Sequence, residues 1–281
     1  MLDLLLKHSA DPNCVGYCEE YSKYCDEGYI RNDTVSPLMV VVWQLSLSNA
    51  ELLLNVGANI NQTNSIGQTS LHIYCNNFAA YQDKGNSIMK LLLSHNVDVN
   101  LRDSNGRTPL HYTCEMRNID AVKLLLEAGA QLDIVDKGGF NELQIAAQSY
   151  FDADLKVKYL LESYSYPIQQ IIEAYETLAW FYLRQDESNY NLYNAVDCMA
   201  TATKLREEYN LPKTVHDPLE CYGFVKEWET MEELLVIKDS SEQLKMQAIL
   251  SRERIYRWRR PRHIPYREDM DFCGWYNDFP T

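Results

Sequence analysis

Nowhere does this 281-residue chain hold an apolar run near the length of a membrane span, which takes about 20 residues. It also shows no charged-then-apolar leader closing on small residues. The expectation is a soluble intracellular protein, cytoplasmic by default. Positive charge is scarce too: 26 Lys and Arg face 40 Asp and Glu, for a net charge of -14. Residues 252–281 hold seven Arg against five acids, so the body before them is more acidic than the whole. Such a body repels phosphate backbones and anionic bilayers, which argues against nucleic acid and membrane as partners and is compatible with a basic peptide or protein, the plainer reading being that the acids keep the solenoid soluble. There is no Gly-rich phosphate loop, no opposed pair of acids and no recurring nucleophile with its base. The chain therefore reads as no enzyme, with no cofactor.

Cysteine is present, eight times, but not as a disulfide framework. Cys75 and Cys114 each stand five residues after the start of a repeated motif, Ser70 and Pro109, where a later copy has Ala147. That is a small core position, and these are packing cysteines. His8, Cys14, Cys18 and Cys25 lie close together, yet their Cys-x3-Cys-x6-Cys spacing is not a zinc signature. Reduced loop thiols are the reading, with no metal.

What the chain has instead is repetition. An apolar triplet closes on a small-polar signature four times. The copies are Leu4-Leu5-Leu6 with Ala10-Asp11-Pro12-Asn13, Leu52-Leu53-Leu54 with Ala58-Asn59-Ile60-Asn61, Leu91-Leu92-Leu93 with Val97-Asp98-Val99-Asn100, and Leu124-Leu125-Leu126 with Ala130-Gln131-Leu132-Asp133. A second marker alternates with it: Ser36-Pro37-Leu38-Met39, Thr69-Ser70-Leu71-His72, Thr108-Pro109-Leu110-His111 and Asn141-Glu142-Leu143-Gln144. Its steps are 33, 39 and 33 residues, close to the ankyrin period. The run Asp103-Ser104-Asn105-Gly106-Arg107-Thr108-Pro109-Leu110-His111 matches the ankyrin pattern almost letter for letter. Each unit has a turn carrying Gly (Gly67, Gly106, and Gly138 or Gly139), then a Thr cap on a helix that accepts Pro in its first turn. The triplet marks a second helix, which Gly57 or Gly129 ends. His72 and His111 read as structural donors to neighbouring backbone. Asp136, in a hairpin turn, reads as an acid screened by solvent.

The predicted fold is all-α: an ankyrin-repeat solenoid over 1–163, then tetratricopeptide-like helices over 167–258, then a poorly ordered tail at 259–281. The chain opens on an outer helix with no inner helix before it. Insertions interrupt the array at 14–33, rich in Tyr and Cys, and at about 81–86, between the helices of one repeat. Long insertions in solenoids map to one face, often the binding face. Beyond Pro167, helices are predicted over 167–184 and 189–209, with Tyr175, Leu178, Ala179 and Tyr182, then Ala195, Met199 and Ala202, at tetratricopeptide spacing. Thr230-Met231-Glu232-Glu233 opens another as a capping box. A last one runs from about Ser240 to Trp258.

The stretch Ile171–Ile255 resembles the Fem (feminization-one) family of ankyrin proteins, substrate receptors of cullin-RING ubiquitin ligases. Ile172-Glu173-Ala174-Tyr175-Glu176-Thr177-Leu178-Ala179 leads into Ala195 and Leu205-Arg206 as that family's first tetratricopeptide helices do. Met231-Glu232-Glu233-Leu234, followed by the run MQAILSRERI at 246–255, is close to a family signature. The resemblance implies an adaptor that takes a partner's C-terminal peptide, Arg-ended ones included, on acidic residues of the array. On the matching positions these are Asp26, in Cys25-Asp26-Glu27-Gly28 ahead of Pro37-Leu38, and Asp83, in the insertion after Cys75. Glu27 and Tyr29 stand beside Asp26, and a carboxylate with tyrosine faces suits a guanidinium. Family members carry further repeats before this point. They also continue to a cullin-docking box that is not found here. The alternative is an ankyrin scaffold with no link to ubiquitin. Arg252, Arg254, Arg257, Arg259, Arg260 and Arg262 form a basic cluster compatible with a nuclear location as well. Its first members are expected to pair with acids on their own or adjacent helices.

Overall fold

The computed structural model describes residues 10–17, 34–77, 80, 86–149, 151–185, 189–213 and 226–256. Among the described residues the fold is all-α apart from one antiparallel pair of two-residue strands, β1 (Gly16–Tyr17) and β2 (Thr34–Val35). The chain divides into two compact units, residues 1–137 with 149–152, and residues 138–148 with 153–281.

The first unit stacks three helix pairs: α1 (Pro37–Trp43) with α2 (Leu47–Asn55), α3 (Ser70–Asn76) with α4 (Ser87–Ser94), and α5 (Pro109–Glu115) with α6 (Ile119–Glu127). Each inner helix starts where a hydroxyl can serve its free amides. Ser36 caps α1 and Thr69 caps α3, with Pro37 and Pro109 in first turns that need no N–H. The outer helices bury one face, Ala50 and Leu53, then Ile88, Met89 and Leu92, then Ala121, Val122 and Leu125. The triplets at 52–54, 91–93 and 124–126 thus mark the outer helices, as the repeat pattern requires; the outer helix expected at the start of the chain lies outside the described residues. The connection 77–86 between α3 and α4 is longer than 116–118 between α5 and α6.

Turns of the same design precede α3 and α5. Asp103 accepts the amides of Asn105 at 2.9 Å and Arg107 at 2.8 Å, and Asn64 accepts those of Ile66 and Gln68. Gly67 and Gly106 sit there at φ +78° and +75°. A side chain at Gly106 would be strained in φ and would press on Lys137 N at 3.3 Å.

Asparagines stitch the units of the stack. Asn13 accepts from Asn59 N and donates to Gly57 O; Asn61 accepts from Asp98 N. Asn100 repeats the first arrangement on Gly129 O and Gln131 N. The closing Asn of the first three small-polar signatures is therefore the bond to the next repeat.

The second unit begins with α7 (Glu142–Gln148) and α8 (Ala153–Ser163), a fourth helix pair. Then α9 (Ile168–Gln185) and α10 (Asn189–Glu208) pack along each other. Leu178 and Ala179 on α9 and Ala195, Met199 and Ala202 on α10 are all buried, and small side chains let the helices lie close. Two further helices, α11 (Met231–Ile237) and α12 (Ser241–Tyr256), complete the unit. The Thr230 capping box is formed, with Glu233 N donating to Thr230 Oγ1 at 3.2 Å.

Candidate protein-binding face

Inner helices and the turns ahead of them carry the polar side chains that repeat from unit to unit. His72 and His111 are fully buried at the third position of their helices. In each, Nδ1 accepts the backbone N–H of the capping threonine, at 3.2 Å from Thr69 and 3.1 Å from Thr108. That bond places the proton on Nε2. Nε2–H then donates to the turn of the following repeat, to Arg107 O at 3.2 Å and to Ile134 O at 2.9 Å. Burial keeps His72 neutral by lowering its pKa, against the pull of the Arg107 carbonyl and of Asp103. These histidines are structural, as the motif led one to expect.

The turns also assemble a network that the sequence did not announce. Gln68 donates to Tyr112 Oη at 3.0 Å, and Tyr112 donates to Asp103 at 2.6 Å. Arg107 lies 5.5 Å from the centre of the Tyr112 ring and reaches two acids, Asp136 at 3.2 Å and Glu115 at 3.0 Å. Burial alone would lower the Arg107 pKa, but Glu115, Tyr112 and Asp136 together raise it. Burial raises that of Tyr112, helped by its bond to Asp103. Asp136 is thus not the solvent-screened acid its hairpin position suggests. Its side chain is 4% exposed, because the guanidinium from the preceding turn covers it. Glu115 stays open at 47% and presents its carboxylate to solvent. The signal available in sequence was the Asp103 to Arg107 spacing across one turn, without any sign of the third partner.

The residues expected to grip a peptide, Asp26, Glu27, Tyr29 and Asp83, all lie outside the described residues, as do His8, Cys18, Cys25 and the tail at 259–281. Cys75 and Cys114 are buried, and burial pushes the Cys75 thiol up to about 12. Both are core cysteines. Among the described residues no group of His, Cys, Asp and Glu could hold a metal ion, and no helix is long and apolar enough to cross a membrane.

In the second unit five charged side chains converge, all nearly buried. Glu176, 1% exposed, meets Arg206 at 3.2 Å, Lys213 at 3.8 Å and Arg254. Glu227 meets Lys213 at 2.9 Å and Arg254 at 3.1 Å. The Lys213 ammonium also sits 3.2 Å from the centre of the Trp228 ring. Residues of the run at 246–255 hold this segment down. Gln247 bonds Trp228 N and Lys226 O, and Ser251 donates to Glu227 at 2.7 Å. The expectation that the first arginines of the basic cluster pair with acids holds for Arg254; Arg252 also lies over Trp180.

A family model described as ankyrin repeats matches residues 38–136 and 71–170. With the helix pairs, the capped inner helices and the turn glycines, this makes the chain an ankyrin-repeat protein of all-α fold. Ankyrin repeats form a protein-interaction domain, and protein binding is its function class. A search of the curated proteins finds none that matches.

Proposed function

We propose that the chain is a substrate-binding adaptor of a cullin-RING ubiquitin ligase, acting in the cytoplasm and recognising a C-terminal peptide of its target. The observation that carries the reading is the run at 246–255. Gln247, Ser251 and Arg254 of that run are each bonded into the core around Glu227. A resemblance that falls on residues with buried polar partners marks a common packing arrangement, since such partners must be satisfied together. The tetratricopeptide-like reading of α9 and α10 belongs to the same proposal. Asp26, Glu27, Tyr29 and Asp83 are assigned to the peptide. In a polar array of net negative charge, a carboxylate flanked by tyrosines selects a basic terminal residue.

Two measurements test the assignment. Affinity purification of the full reading frame from cells should recover a cullin and a RING subunit, and target abundance should rise when the protein is depleted. Recovery of partner proteins with no cullin in any isoform would leave an ankyrin scaffold without a ligase role.

A further inference from the structure

We draw no further inference here: the strongest candidate, the exposed apolar pair Leu235 and Val236 on α11, is an unpartnered face and nothing in the structure shows what covers it.

Discussion

Gln144 donates its side-chain amide to the Glu173 carboxylate across 3.0 Å, from the place in its repeat that His72 and His111 hold in theirs. The capping geometry is the same, with Asn141 N donating to Gln144 Oε1 at 3.2 Å. Only the acceptor differs. His72 and His111 each donate to a backbone carbonyl in the turn ahead of the next inner helix. Gln144 faces α9, whose carbonyls are used within the helix, so a side-chain carboxylate takes over. The last repeat motif is thereby adapted to a helix as its neighbour.

This equivalence makes a prediction about His111. Replacing it by Ala removes two buried hydrogen bonds and leaves a cavity, a loss of roughly 2–4 kcal/mol. His111→Gln keeps one acceptor and one donor at the same positions and should lose only about 1 kcal/mol. Urea unfolding of the two variants checks this. Equal losses would show that the ring packs there without its bonds mattering.

The Glu176 cluster should dominate the stability of the second unit. Arg254→Met removes the one guanidinium that bonds both Glu176 and Glu227 and leaves their buried oxygens with lost partners, at a cost of about 3–5 kcal/mol. Lys123→Met, which removes an exposed pair with Asp120, should change stability by less than about 1 kcal/mol. Denaturant midpoints of the two variants give the comparison.

The same cluster fixes a dependence on pH. Burial would raise the Glu176 pKa, but Arg254, Lys213 and Arg206 hold it below the ordinary carboxylate value. The unfolded chain therefore binds the proton more readily. The stabilisation is present above the ordinary value and is lost as pH falls through the lower folded-state value. In Glu176→Gln the acid limb of the stability curve should be shallower, which denaturation at a series of pH values between neutral and about pH 3 would reveal.

Much of the fold was written locally. The Gly turns, the Thr caps and the triplets each act over a few positions, so one copy predicts the next. The helices at 168–185 and 189–208 were legible from spacing for the same reason. Pairing across long separations was not. Nothing near Glu176 names Arg254 as its partner, and Asp136 looked exposed because Arg107 lies in the previous turn. The strands β1 and β2 are two residues each, too short to show a period. The peptide residues were reached through resemblance alone, since charge and aromatic content in a loop do not distinguish a clamp from a solvated surface.

Thiol chemistry offers an independent check on burial. Cys14 is exposed, while Cys75, Cys114 and Cys198 are buried, and burial pushes Cys198, like Cys75, up to about 12. Brief alkylation of the native protein followed by mass spectrometry should label Cys14 and spare the other three, which should react on unfolding. Fast native labelling of Cys75 or Cys114 would contradict the packing of the inner helices.

The most direct test of the adaptor reading is a titration of C-terminal peptides by fluorescence polarisation. The panel holds a peptide ending in Arg, its Gln-ended counterpart and an Arg-ended one with an amidated terminus. The account predicts that the Arg-ended acid binds best and that both changes weaken it at least tenfold. It further predicts that Asp26→Ala removes the preference for Arg, whereas substitution of the exposed Glu127 leaves it intact. Loss of preference in the double change, rather than a second loss of affinity, is the mark of contact between the two groups. Equal binding of all three peptides, or equal effects of the two substitutions, would contradict the assignment of a C-terminal peptide site to this chain.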